Sequence, residues 1–271
     1  MPELPEVEIA RRHLLRWARG KKILAVEAAQ SRVLRGAPVA RLRELCVGAT
    51  FRDAERRGKN LVLLLTRGRE RLGLRFHLGM TGKFARRAPR EPAPRFARAT
   101  FVFPGAAIHF CDMRMFGEIE AGPWEPVRER AFADLGPDPL VERVDARVLR
   151  ERLGGTKLPV KVALMDQARI AGMGNIHAAE ALWRARISPL RKAASLREPE
   201  LRALARAIRA SIAWGLREED ADEMVYVEEP GSENPFRVYA RAGESCSRCG
   251  HRIGRTVQAG RSTFWCKGCQ R

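Results

Sequence analysis

The chain has 271 residues, 45% of them apolar, and carries 51 Lys+Arg against 32 Asp+Glu, a formal net charge of +19 at pH 7. A field of that sign selects a polyanion, so nucleic acid is the expected partner and an anionic membrane surface its competitor. No apolar run approaches the ~18 residues of a membrane span, and the acidic, amphipathic start does not read as a signal peptide, so a soluble intracellular protein of one large or two domains is expected.

The first residues are Met1-Pro2-Glu3-Leu4-Pro5-Glu6. Met before a small residue is commonly trimmed, and its removal leaves Pro2 as a terminal secondary amine. An α-amino group has a reference pKa of about 8 against about 10.4 for Lys, so roughly a tenth of it is neutral at pH 7. Such an amine beside a carboxylic acid is a candidate nucleophile toward a sugar carbon. Taken alone, Met-Pro-Glu is also simply how a chain starts, and only accompanying motifs give it meaning.

Val7, Ala10, Leu14 and Trp17 recur at helical spacing and predict a helix over 6–19. From 20 to 122 the pattern is strand-like. Leu61 to Leu65 is an apolar run, and 72–77, 100–103 and 107–111 are further strands between Gly-containing turns. Short strands in succession predict a sandwich or barrel. The 87–95 stretch, with Pro89, Pro92 and Pro94, reads as a loop. Pro123, Pro126, Pro137 and Pro139 mark a linker over 123–139. Helices are predicted over 146–153, 159–170, 176–185 and 199–214. The 218–235 stretch is acidic and lacks Lys and Arg, and reads as a loop or lid kept away from phosphates. The expected domains are 1–122, the 123–139 linker, 140–235 and 236–271.

Three constellations carry chemistry. Cys246-x-x-Cys249 and Cys266-x-x-Cys269 have the spacing of a four-cysteine metal site. About 30 residues bury too little apolar surface to fold alone, so one structural Zn²⁺ is expected to supply the missing free energy. Arg252, Arg255, Arg261 and Lys267 lie around the knuckles, placed to face phosphates. Second, Gly172-Met173-Gly174-Asn175 turns the chain into a helix, with Asn175 as its expected cap and a phosphate grip. A plain helical corner gives the same pattern. Third, Lys59, Met80, Arg114 and Phe116 sit in turn-like segments, where Met, Arg and Phe can wedge into a duplex and fill the hole left by an extruded base. Taken singly, Met80 and Phe116 are more often core residues.

Taken in order, Pro2-Glu3-Leu4-Pro5-Glu6, Lys59, His77-Leu78-Gly79-Met80, Arg114-x-Phe116-Gly117, Gly172-x-Gly174-Asn175 and the terminal finger with Gly260-Arg261-Ser262-Thr263-Phe264 resemble the formamidopyrimidine-DNA glycosylase family, shared with endonuclease VIII. The resemblance spans nearly the whole chain. It implies an α+β multidomain fold: an N-terminal β-sandwich with an N-terminal helix, a helix–two-turn–helix domain and a C-terminal zinc finger, with DNA between them. It implies a bifunctional glycosylase and abasic-site lyase of base excision repair, acting on oxidised purines in duplex DNA through a Pro2 Schiff base and β,δ-elimination. Glu3 is then the proton shuttle, while Lys59 and Arg261 hold phosphates and assist elimination. Lys157, Lys161 and Asn175 contact the backbone, and Met80, Arg114 and Phe116 fill the stack. A cytoplasmic bacterial monomer, bound to the nucleoid through DNA, is expected. Met113 and Met115 stand where the family commonly has Pro and Arg, His177 replaces a usual Tyr, and the acidic 218–235 segment replaces a Gly/Thr-containing loop. Two alternatives are excision of oxidised pyrimidines, as in endonuclease VIII, and a non-catalytic binder of abasic or distorted DNA.

Overall fold

The computed structural model describes residues 2–34, 38–216 and 233–271, so Met1 and most of the acidic 218–235 stretch lie outside the described residues. The chain divides into two compact units, one built on residues up to Ala133 and the other on those from Asp134.

The first unit starts with α1 (Leu4–Ala18), capped by Glu3, whose N–H donates to the Glu6 carboxylate at 2.9 Å. Its Val7, Ala10, Leu14 and Trp17 stripe is buried, as the periodicity predicts. Next come β1 (Ala25–Ala28), α2 (Val39–Cys46), β2 (Thr50–Arg57), β3 (Asn60–Arg67), β4 (Glu70–His77), β5 (Lys83–Arg87), β6 (Ala97–Phe103), β7 (Ala106–Cys111) and β8 (Glu118–Pro123). These form two antiparallel sheets, ordered β1-β6-β7-β5 and β2-β3-β4-β8. Phe76 of one sheet meets Phe84, Phe101 and Phe110 of the other at ring-centroid distances of 5.0, 5.9 and 5.5 Å. These inner faces form the sandwich core.

The Pro-marked stretch is a correction to the predicted linker. Residues Trp124–Phe132 form a helix, α3, with Pro123 at its N-cap. Prolines are tolerated there because the first turn's N–H groups lack helical partners. Trp124, Val127 and Ala131 pack on Val62, with Leu64 and Phe132 at the edge. This explains the continuous run in β3: Leu61, Leu63 and Leu65 alternate with Val62 and Leu64, and both faces are covered. The approach is close enough that a Cβ on Gly73 would lie 2.9 Å from Val127 Cβ.

The second unit holds α4 (Ala146–Gly154), α5 (Val160–Met165), α6 (Asn175–Ala185), α7 (Glu198–Gly215) and the hairpin β9 (Ile253–Gln258) and β10 (Arg261–Cys266). Asp145 caps α4, accepting from the N–H groups of Arg147 and Val148 at 3.0 and 3.1 Å. The helix predicted over 159–170 stops at Met165. Asp166 accepts from the Ala168 N–H at 3.1 Å, and the Gln167 amide donates to the carbonyls of Met165 and Met173 at 2.7 and 2.8 Å. Polar side chains thus replace the helical bonds and build the turns between α5 and α6. Among the described residues, no helix is long and apolar enough to cross a membrane.

Candidate active site and nucleic-acid interface

The candidate residues fall into two sets, one in each unit. In the first, Pro2 is buried and Glu3 is only 1% exposed, at the start of α1. One turn further on, the buried Glu8 carboxylate accepts from Arg11 (2.8 Å), Arg12 (2.9 Å) and Arg56 (3.1 Å). Burial pushes this carboxyl up, but the Arg11 and Arg12 hydrogen bonds, with the charges of Arg11 and Arg56, outweigh it and hold the group at about 2. Arg56 also donates to the Gly58 carbonyl at 3.0 Å. Gly58 has φ +57 and makes the β2–β3 turn that carries the half-buried Lys59. A chain of charged hydrogen bonds therefore links the helix carrying Glu3 to the turn carrying Lys59.

The three residues expected to wedge into a duplex lie on two adjoining turns of this unit. Met80 sits on the half-buried turn after β4, and Arg114 and Phe116 lie on the 112–117 loop. A Cβ on Gly79 would come 2.4 Å from the Phe116 carbonyl carbon, so the turns touch backbone to backbone. The fully buried Asp112 organises the loop: it accepts from the Thr81 hydroxyl at 2.5 Å, the Arg114 N–H at 3.2 Å and the Gly117 N–H at 2.7 Å. Arg98 donates to the Asp112 carbonyl at 2.7 Å. Arg32 donates to the carbonyls of Arg114 and Met115 at 2.7 and 3.1 Å, and its guanidinium lies 5.2 Å from the Phe116 ring centroid. Phe116 is 46% exposed, Arg114 is exposed, and Met115 is held at φ +55. Phe116 is thus not a core residue.

In the second unit, Asn175 is the first residue of α6, not its cap; Gly174 takes that position. Its side chain accepts from Lys161 Nζ at 2.5 Å and donates to the Ser262 carbonyl at 3.1 Å. Lys161 corrects the expectation of a DNA-contacting lysine. It is 0% exposed, and its ammonium donates to Asn175, to Thr263 Oγ1 at 2.8 Å and to the Ser262 carbonyl at 3.3 Å. A buried ammonium must satisfy its three donors, and here it does so on Asn175 of α6 and on Ser262 and Thr263 of the finger. Lys157 is exposed on the turn before α5. Arg261 is exposed at the tip of the β9–β10 hairpin, after Ala259 and Gly260, both at positive φ, as a two-residue turn of this twist requires.

The sulfurs of Cys246, Cys249, Cys266 and Cys269 all lie within 4.8 Å of one another. The Cys246–Cys269 and Cys249–Cys266 separations are 3.9 and 3.4 Å. Tetrahedral zinc with bonds of about 2.3 Å sets its sulfurs about 3.8 Å apart. Burial pushes the Cys246 thiol up, but hydrogen bonds from Trp183 and from the N–H groups of Arg248 and Cys249 bring it down to about 6. Burial and the sulfurs of Cys266 and Cys246 push Cys269 up to about 12. Crowded thiolates repel one another, and a dication removes that conflict, so the donor set fits zinc. The four cysteines form one structural zinc site. Four protein ligands leave no open position for chemistry.

Several residues that hold the candidate site together had no motif to mark them. The Glu8–Arg56, Asp112–Thr81 and Arg32–Arg114 contacts join residues distant in sequence. Glu180 is 2% exposed and accepts from the N–H groups of Arg237, Val238 and Tyr239 at 2.9–3.1 Å, fixing the segment that leads into the finger. Its one signal was a carboxylate among the apolar residues of a helix.

Family models match the whole arrangement: the formamidopyrimidine-DNA glycosylase N-terminal domain over 1–119, the H2TH domain of the same enzyme over 135–224, and the zinc finger found in FPG and IleRS over 243–271. The formamidopyrimidine-DNA glycosylase of Geobacillus kaustophilus is 39% identical, with all of both chains covered. The chain belongs to the formamidopyrimidine-DNA glycosylase family. The Sphingopyxis alaskensis member is 37% identical over all of both chains. A Lactococcus lactis member crystallised with Fapy-dG-containing DNA matches at TM-score 0.88 and 31% identity, covering all of both chains. Another structure of the Lactococcus lactis enzyme, with abasic-site DNA, matches at 0.88 and 30%, covering 99% of each. As a member of this family the chain is a DNA glycosylase of base excision repair, and abasic-site lyase activity is the family's second activity.

Proposed function

We propose that, with Met1 removed, the Pro2 nitrogen attacks C1′ of a damaged nucleotide. The N–C1′ bond forms as the glycosidic bond breaks, and the base leaves with a proton. Cleavage of the C1′–O4′ bond, with a proton delivered to O4′, then opens the sugar and leaves an N–C1′ iminium, which makes the C2′ hydrogen acidic. Its removal expels the 3′ phosphate, and a second elimination expels the 5′ phosphate. Glu3 carries protons between these steps, while Lys59 and Arg261 hold the phosphates whose C–O bonds break. Asn175 and Lys157 grip the backbone; Lys161 serves by holding Asn175. Met80, Arg114 and Phe116 occupy the void left by the extruded nucleotide.

The observation that carries this reading is the placement of Glu3. It is a buried carboxylate next to Pro2, on a helix tied through Glu8 and Arg56 to the Lys59 turn. The substrates we propose are formamidopyrimidines and 8-oxoguanine in duplex DNA, and the site of action is the cytoplasm.

Borohydride trapping on lesion and abasic duplexes tests the mechanism. Wild type is expected to give a covalent adduct, Pro2→Gly, which keeps a primary terminal amine, a smaller amount of it, and Glu3→Gln roughly 100-fold less, the scale of one lost general acid. Absence of any adduct from the wild type would leave a non-catalytic binder. Excision of thymine glycol without 8-oxoguanine would move the specificity to oxidised pyrimidines.

A further inference from the structure

The finger is seated on α6 by a residue that the cysteine spacing does not reveal. Trp183, near the C-terminal end of α6, is 8% exposed, and its indole N–H donates to Cys246 Sγ at 3.4 Å. Arg248, between the first two cysteines, lies with its guanidinium 4.0 Å from the Trp183 ring centroid and donates to the Trp183 carbonyl at 2.8 Å. The same guanidinium reaches Cys269 Sγ at 3.9 Å. A cation at a helix C-terminus meets the negative end of the helix dipole, so this clamp suits its position. At the other end of the helix, Asn175 donates to the Ser262 carbonyl of β10. The two attachments are eight residues apart, about 12 Å along the axis.

We propose that Trp183 is a positioning residue of the zinc centre: its indole N–H, locked in place by Arg248, aims the Cys246 sulfur at the metal and slows metal loss. An N–H···S bond to a ligating thiolate fixes the direction of the sulfur lone pairs. Partners of this kind govern metal retention almost as strongly as the ligands themselves. The ring alone, without its N–H, packs but cannot aim the sulfur.

Trp183→Phe keeps an aromatic face under Arg248 and removes only the donor. Zinc release from the full-length protein into excess 4-(2-pyridylazo)resorcinol, followed by absorbance, is expected to be roughly 10-fold faster in this variant, the lower end for loss of such a partner. In the ¹¹³Cd-substituted wild type, an indole proton is expected to show coupling to the metal across the hydrogen bond, and that signal should vanish in Trp183→Phe. A variant that releases zinc at the wild-type rate overturns the proposal, whatever the spectrum. Should the variant fail to fold, the wild-type spectrum decides, and no indole proton coupled to cadmium overturns it. A purely packing role would move neither measurement.

Discussion

Two exposed arginines, Arg114 and Arg261, ride on turns that are held in opposite ways. The 112–117 loop is secured by many modest polar bonds: the Asp112 carboxylate, the Thr81 hydroxyl and the guanidinium groups of Arg32 and Arg98. Each is worth on the order of 1 kcal/mol, so damage to one leaves the others. The 258–261 hairpin belongs to a finger whose four sulfurs converge on one metal site. Its rigidity is concentrated, so a single loss removes it all. Distributed fastening tolerates change; concentrated fastening gives an all-or-none switch.

Removing zinc should break the comparison most sharply. Structural zinc contributes about 10 kcal/mol or more to domains of this size. With a chelator, amide protection is expected to disappear across residues 246–269 and to persist in β3, β4 and β7, as hydrogen exchange would show. Retained protection in the finger would mean that its polar contacts alone suffice.

The next largest effect is expected at Glu8. Glu8→Gln takes the Glu8 charge away from the buried Arg56 guanidinium, at a cost of about 3 kcal/mol, readable by urea unfolding. The pH dependence follows from the depressed carboxyl. Its contribution is full above about 4.5 and is lost as pH falls toward about 2. Wild type should therefore lose stability over that window more steeply than Glu8→Gln, and equal slopes would discount the Glu8 network.

The smallest expected effect is at the loop itself. Asp112→Asn weakens the charged acceptor for Thr81, Arg114 and Gly117, at about 2 kcal/mol. Sharper broadening of 112–117 amide signals than of those in β7 would place the damage in the loop. A global loss equal to that of Glu8→Gln would show that Asp112 belongs to the core instead.

Much of the architecture was legible because it follows from period and spacing. The α1 stripe, the β3 run and the paired cysteines need only local rules. The Pro-rich stretch misled because a proline that interrupts one helix opens another, and α3 is recognised only by the sheet it covers. Lys161 misled because a lysine's default is solvent; three acceptors, two of them a hundred residues away, reverse that preference. Asn175 fits a cap by sequence, but the buried ammonium claims its oxygen. Trp183 had no signal in the sequence, since nothing in its own helix marks the sulfur it faces.

The two-sided cover of β3 has a practical consequence for dissecting the molecule. A fragment ended at residue 122, where the prolines invite a cut, would strip α3 from Val62 and Leu64 and open an oily stripe in mid-sheet. Such stripes drive self-association, so that fragment should precipitate, whereas one ended after Ala133 carries its own shield.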